Sequence, residues 1–273
     1  MRARRRFAQH FLEPAWVTKV VAAVAAKAGD NILEIGPGRA ALTRPLAAQC
    51  GQLLAVEVDR DLAADLDATK PANVTVLVGD VLELDLALTL SNWLGEALGP
   101  ATDVRVVGNL PYNISSPILF SLLGLSALTG GVRDAILMLQ KEVADRLVAR
   151  VGTSDYGVLA VLTAVHADVT RLLSVPPGAF RPAPQVHSAV VRLAFRPPTV
   201  VIPDMAGFVR MVRSMFTQRR KTLSNALKPF GADCSVAPGA ALAAAGIDGR
   251  RRPETLEMGE IAALLQAFRV AGS

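Results

Sequence analysis

Short apolar runs recur along the first two-thirds of the chain: "NILEI" (31–35), "LLAVEV" (53–58), "VTVLV" (74–78), "VRVVG" (104–108) and "DAILMLQ" (134–140). They are rich in Val, Ile and Leu and do not alternate with polar residues. Longer Ala/Leu-rich stretches such as "ALTRPLAAQC" and "RDLAADLDAT" lie between them. Continuous apolar strands separated by helices predict an α/β fold, a doubly wound parallel sheet covered on both faces. Farther on, "DVTRLLSV" and "SAVVRLAF" read as strands flanking the proline-rich loop "PPGAFRPAP" (176–184). With no helix between them, they are expected to form an antiparallel hairpin at one sheet edge.

"RPPTVVIPD" (196–204) carries three prolines and reads as a linker. Beyond it every segment has helical character. Phe208, Val212, Met215 and Phe216 recur at helical spacing and mark an apolar face, while Arg210, Arg213, Arg220 and Lys221 fall together on the other side. Arg219 would land on the apolar face of an unbroken helix, so a break is expected near Gln218. The chain therefore divides into an α/β, Rossmann-like domain over 1–198 and a small all-helical domain over 199–273.

At 51% hydrophobic and 19% charged residues, the chain is a folded globular protein. Its net charge of +5 and pI near 9.6 suit a polyanionic partner without specifying one. Cys50 and Cys234 are far apart, and His10, His166 and His187 do not cluster with them. No disulfide framework and no metal site is expected, which fits a reducing cytoplasm. "RARRRF" followed by "VVAAVAAKA" has a faint look of a signal peptide, but Glu13 and Lys19 precede the short apolar run and Lys27 interrupts it. It is read as a helix. No apolar run approaches the ~18 residues of a membrane span.

Chemistry enters at "ILEIGPGRAALT", a strand running through a glycine turn into a helix. Gly36, Gly38 and Ala41 match G-x-G-x-x-A, and Glu57, 21 residues beyond Gly36, ends the next strand. Such glycines let a ligand approach the backbone, and an acid at the tip of strand two can accept both hydroxyls of a ribose. NAD and S-adenosyl-L-methionine both fit this pattern. Glu34, placed to orient a cationic amino acid end, the stiffening Pro37, and Asp80, placed to accept from an adenine amino group, favour S-adenosyl-L-methionine. A helix N-cap is the structural alternative for Asp80.

"VVGNLPYNIS" (106–115) ends the fourth strand in Asn109, Leu110, Pro111 and Tyr112. In a doubly wound sheet the reactive crevice lies outside the carboxyl ends of the strands. An exocyclic adenine amine is a poor nucleophile because its lone pair is delocalised into the ring. The Asn109 side-chain oxygen and the Leu110 carbonyl can accept from its two N–H groups and localise that pair. Pro111 restricts its neighbour's backbone and keeps the carbonyl aimed. Tyr112 offers a face on which an extruded base can stack. A structural turn with a buried tyrosine is the alternative. Neither cysteine sits at a strand end beside a proline, so direct transfer to nitrogen is expected rather than a covalent thiol route.

Nine blocks in order, including "RRRFAQHFL", "LEIGPGRAALT", "GDVLELD", "VVGNLPYNISSPILF", "VPPGAFRPAPQVHSAVVRL" and "QRRKTLSNAL", resemble the small-subunit rRNA adenine N6,N6-dimethyltransferases over nearly the whole chain. The resemblance implies a class I methyltransferase sheet. It implies cofactor contacts at Leu12, Gly36, Glu57, Asp80 and Asn109, with His10 where the family usually has Asn. It implies that Asn109 to Tyr112 hold the target base, with Phe180 on the opposite wall; a core phenylalanine anchoring the hairpin is the other reading of Phe180. His187 stands where the family has Asp and reads as a tolerated loop residue. Arg4, Arg5 and Arg6 beside Arg2 at the amino terminus, and Arg210, Arg213, Arg220 and Lys221, are candidate phosphate contacts. The expected activity is dimethylation of two adjacent adenines in the 3′-terminal hairpin of small-subunit rRNA, by a cytoplasmic monomer acting on the pre-30S subunit. The alternatives are a large-subunit (23S) adenine methyltransferase of the macrolide-resistance type, a non-catalytic ribosome-assembly factor on the same fold, and a nicotinamide-dependent dehydrogenase.

Overall fold

A computed structural model describes residues 10–271; Arg2, Arg4, Arg5 and Arg6 lie outside them. Nine strands are present among the described residues: β1 (Phe11–Leu12), β2 (Asn31–Ile35), β3 (Gln52–Glu57), β4 (Val74–Val78), β5 (Val104–Asn109), β6 (Val132–Gln140), β7 (Ala167–Val175), β8 (Phe180–Arg181) and β9 (Ser188–Phe195). Seven of them form one sheet in the order β4-β3-β2-β5-β6-β9-β7. The five strands from β4 to β6 are parallel, and β9 runs antiparallel to both β6 and β7. The expected hairpin is thus the β7–β9 pair at the sheet edge. β1 and β8 make a separate two-residue pairing, Phe11 opposite Arg181 and Leu12 opposite Phe180.

Several helices of the chain begin or end where local chemistry dictates. Helix α1 (Pro14–Val24) opens on a proline, whose missing N–H is no loss in a first turn. After α2 (Thr43–Ala47), helix α3 (Arg60–Asp67) is capped by Asp59, which accepts from the N–H groups of Asp61 and Leu62. Helices α4 (Leu86–Leu94) and α5 (Ser115–Thr129) both end on a glycine in the left-handed region, Gly95 and Gly130. On one sheet face Val20, Val21 and Val24 of α1 close over Ile32, Leu53, Val107, Ile136 and Val190, all essentially without solvent contact. Each such side chain contributes about 1.5–3 kcal/mol by burial.

The described residues separate into two compact units. One runs to Ala144 and resumes over His166–Pro197; the other takes Asp145–Val165 and everything from Pro198 onward. The change at residue 198 coincides with the proline linker. The sequence-based division at 198 left 145–165 in the first domain, whereas this excursion belongs to the helical unit. The division at Ala144 falls inside α6 (Lys141–Leu147), and the second unit holds α7 (Val158–His166) up to Val165, then α8 (Met205–Thr217), α9 (Leu223–Ala226), α10 (Lys228–Asp233), α11 (Pro238–Ala244) and α12 (Met258–Ala271). Helix α8 buries Phe208, Met211, Val212, Met215 and Phe216 and ends at Thr217, where the break is expected. Phe230 meets Phe268 of α12 edge to face at 5.1 Å. No helix among the described residues is long and apolar enough to cross a membrane.

At the amino-terminal edge of the sheet lies a buried charge network. Arg105 of β5 grips both oxygens of Asp134, at 2.8 and 3.1 Å, and reaches Asp30 at 3.0 Å. Arg133 also binds Asp30, and Arg192 also binds Asp134. Every buried carboxylate there has a guanidinium partner. Removing one member of such a set leaves charge uncompensated in a low-dielectric interior. Arg105→Met is expected to lower stability by about 3 kcal/mol, read as a reduced urea midpoint with unchanged slope; a midpoint within error of the parent would show that the network contributes nothing to stability.

Candidate active site

A cleft opens at the carboxyl ends of β2, β3, β4 and β5, and Leu12, Gly36, Gly38, Glu57, Asp80, Asn109, Leu110, Pro111 and Tyr112 all line it, as does His10. Parallel pairing brings them together. Ile35 lies opposite both Val56 and Gly108, and Glu57 lies opposite Val78. The ladder continues one bond past the strands: Gly36 N–H donates to the Val56 carbonyl at 2.9 Å, and Gly79 N–H to the Glu57 carbonyl at 2.9 Å. Each loop therefore leaves the sheet from a fixed point. Gly36 and Gly38 have φ of 68° and 57°, left-handed values that strain a residue with a Cβ. Space is not the reason at Gly36, where an added Cβ would meet nothing.

Glu57 closes the glycine loop. One of its oxygens accepts the Gly38 N–H at 2.9 Å and the other accepts the Asp59 N–H at 3.0 Å. Each oxygen retains a lone pair for a ligand hydroxyl. Asp80 accepts the Leu82 N–H at 2.9 Å through one oxygen and so caps a turn; the helix N-cap expected as its structural alternative is instead Asp85, ahead of α4.

Glu34 differs from these. It is 2% exposed, and its Oε2 is buried with no hydrogen-bond partner. The Thr43 hydroxyl lies near enough to favour the ionised form but is itself unpartnered. Burial pushes the Glu34 carboxyl up to about 7, and the charge of Glu57 adds to the rise. Among the described residues, the charged side chain acting on Glu34 is thus another carboxylate, and no cation offsets it. A wall built this way suits a ligand that brings its own positive charge.

At the other end of the cleft, Asn109 donates its amide N–H to the His10 carbonyl at 3.2 Å. That bond turns Oδ1 the other way, and Oδ1 has no partner among the described residues. Leu110 is buried, and its N–H is tied to the Met138 carbonyl at 3.2 Å. Its own carbonyl accepts no hydrogen bond among the described residues. Two acceptors on adjacent residues are thus left for a ligand. Tyr112 is half-buried, with its hydroxyl 2.8 Å from Ser188 Oγ, which fixes the ring.

Phe180, expected on the opposite wall, does not line the cleft. It is 1% exposed and packs in the core with Val20, Val21 and Leu12, away from the cleft. In the two-residue β8, successive side chains point to opposite faces; Arg181 takes the outside and Phe180 the inside. It anchors the hairpin and does not form a wall of the cleft. His187 is exposed, and its carbonyl accepts the Lys141 N–H, as suits a loop residue. Cys50 is buried and Cys234 half-buried, both are free thiols, and neither lines the cleft. Arg210, Arg213, Arg220 and Lys221 are exposed, while Arg219, beyond the end of α8, is half-buried.

Three participants were not read from the sequence. The Arg39 guanidinium lies 4.1 Å from the centre of the Phe11 ring, and both residues line the cleft. Ser188, the partner of the Tyr112 phenol, is buried at the start of β9. For Arg39 the signal was its place inside the glycine turn. For Ser188 no local pattern points to a residue 76 positions away.

The strand order, the reversed β9 and the cleft at the parallel strand ends define a class I methyltransferase. The chain matches the ribosomal RNA adenine dimethylase family over residues 1–262 and belongs to it. It is 44% identical to the ribosomal RNA small subunit methyltransferase A of Geobacter sulfurreducens, covering 100% of this chain and 97% of that protein. With the protein of the same name from Acinetobacter baylyi it shares 43%, over 96% of this chain and 91% of the relative. Among solved structures, a dimethyladenosine transferase from Plasmodium falciparum superposes with a TM-score of 0.76 at 24% identity, covering 96% and 98% of the two chains. The 23S rRNA methyltransferase ErmE superposes with a TM-score of 0.62 at 25% identity, covering 95% and 99%.

The raised Glu34 carboxyl has a consequence for stability. The folded protein holds this proton to about pH 7, while an ordinary glutamate releases it near 4.5. Folding therefore binds a proton between those values, and stability falls as pH rises from about 4.5 to about 7. Glu34→Gln is expected to remove a loss of roughly 3 kcal/mol across that window. Urea melts of the ligand-free parent and variant at pH 5 and 7.5 test this; parallel pH dependences in the two would show that Glu34 ionises normally.

Proposed function

We propose that this protein transfers methyl groups from S-adenosyl-L-methionine to N6 of two adjacent adenines in the 3′-terminal hairpin of small-subunit rRNA, acting as a monomer on the pre-30S subunit. The observation that carries the reading is the pairing, in one cleft, of carboxylates lacking a cation with two unengaged acceptors beside a fixed tyrosine ring. Glu57 suits the ribose hydroxyls of the cofactor, Asp80 its adenine amine, and Gly36 and Gly38 a close approach of backbone to ligand. Leu12 is assigned to the same end, while His10 lies beside Asn109 and Tyr112, and Glu34 answers positive charge. The bound cofactor supplies an electrophilic methyl on a sulfonium.

The chain's own residues prepare the nucleophile. Asn109 Oδ1 and the Leu110 carbonyl accept from the two N–H groups of the target amine and draw its nitrogen toward tetrahedral geometry. Tyr112 holds the extruded base by its face. The methylated amine is acidic enough to lose its proton to water, so positioning and electrostatics do the work. Phosphates are met by Arg210, Arg213, Arg220 and Lys221, with Arg4, Arg5 and Arg6 assigned the same role. The likeness to a 23S rRNA methyltransferase favours a second reading, a large-subunit adenine substrate. The names of the relatives above 40% identity favour the small subunit.

Labelled methyl transfer to undermethylated small subunits, followed by nucleoside analysis, is expected to give N6,N6-dimethyladenosine; monomethyladenine alone after exhaustive incubation refutes the dimethyl assignment. Asn109→Ala is expected to slow transfer roughly 10²–10³-fold, and a loss under threefold would make Asn109 structural. Replacing Arg220 and Lys221 together with Ala is expected to flatten the salt dependence of RNA binding by about 1.5 in log–log slope; an unchanged slope places the RNA elsewhere.

A further inference from the structure

His10 touches both halves of the base clamp. Its imidazole lies against the Tyr112 ring, centroids 5.9 Å apart and planes 25° from parallel. Its carbonyl holds the Asn109 amide at 3.2 Å. Its Nδ1 is 2.8 Å from the Pro182 carbonyl, in the loop after β8, so the ring is held at a second point. A base between the two rings would need about 3.4 Å on each side, the rise of stacked bases. The rings are too close to admit one.

We propose that the His10 imidazole is a place-holder for the target base: it occupies a stacking face of Tyr112 in the free enzyme and must swing off that face before the adenine is seated. The inference rests on the reading of Tyr112 as the base-stacking residue. An asparagine at this position has no ring to lay there, so the device belongs to this chain's own sequence. The stack protects a half-buried aromatic face from water while no substrate is present. The same residue holds the Asn109 amide through its main-chain carbonyl, a contact that a swing of the imidazole leaves in place, with Oδ1 still unengaged.

An interaction present in the free enzyme and absent from the transition state slows the reaction from free enzyme and substrate. His10→Ala removes the place-holder and is expected to raise kcat/KM for undermethylated small subunits. His10→Phe keeps a ring with a stronger apolar face and is expected to lower it. Each change is about two- to tenfold, the range a single aromatic pair commands. A role in folding or cofactor binding predicts the opposite pattern, with the parent faster than both variants; that order overturns the proposal.

A second measurement does not depend on the variants' activity. The chain has three histidines, and the spectrum of His10→Ala identifies the His10 imidazole resonance by its loss. Stacking on Tyr112 shifts that resonance by ring current. With S-adenosylhomocysteine saturating, a short single-stranded RNA containing adenine is expected to move it to the position found in Tyr112→Leu, and an all-uridine strand is not. A resonance unmoved by the adenine strand overturns the place-holder even if transfer proceeds. Full transfer activity in Tyr112→Leu overturns the base-stacking reading itself, and the place-holder with it. Loss of activity in that variant, with an unmoved His10 resonance, overturns the place-holder alone.

Discussion

The parallel register of β3, β2, β5 and β6 is the constraint on which everything else in the first unit depends. Asn31 faces Gln52 on one side and Val104 on the other, and the same alignment carries through to Ile35, Val56 and Gly108. Parallel strands share a direction, so their loops collect at one edge. A one-residue slip of β5 would turn its side chains to the opposite face and take Asn109 out of line with the glycine turn. The register is defended where a slip would cost most. Gly108 lies so close to Ile35 that an added Cβ would sit 3.0 Å from its carbonyl oxygen, and Arg105 is locked to Asp134 across the β5–β6 pair.

That register also creates an asymmetry between the two edges of the sheet. Both bury carboxylates. At the amino-terminal edge, Asp30 and Asp134 are matched by Arg105, Arg133 and Arg192. At the carboxyl edge, Glu34 and Glu57 are matched by no cation among the described residues. Compensated charge is a structural lock; uncompensated charge is a standing cost that a ligand can relieve. This contrast distinguishes the cleft edge from the opposite one without reference to any relative.

The strands and the residues at their tips were legible in the sequence because both signals are local. "NILEI", "VTVLV" and "SAVVRLAF" match observed strands at both ends, since short Val/Ile/Leu-rich runs favour strand whether central, as in β2, or at the sheet edge, as in β4. Asn109 and Glu57 could be placed at the cleft from the sequence because each ends a strand. What was not legible depends on distant pairing. The segment 145–165 has an ordinary helical pattern, and nothing in it says which unit it packs with. Phe180 carried two readings because a two-residue strand has no period; the core under Leu12 decided between them. The contact of His10 with Tyr112 joins residues 102 positions apart, and the β1–β8 pairing that brings it about is too short to leave a pattern.

The two acceptors of the proposed clamp differ in freedom, and the difference bears on a second methyl transfer to the same nitrogen. After the first transfer the amine keeps one N–H, so one acceptor must yield space to a methyl group. The Leu110 carbonyl belongs to a buried residue whose own N–H continues the β5–β6 ladder, and moving it would break that bond. Asn109 Oδ1 is at the end of a side chain restrained by a single hydrogen bond, to the carbonyl of His10. Yielding there costs a rotamer change and one part-buried bond, while yielding at Leu110 costs backbone pairing in the core. In the proposed clamp the slack for a second methyl therefore belongs on the Asn109 side, with Leu110 as the fixed point.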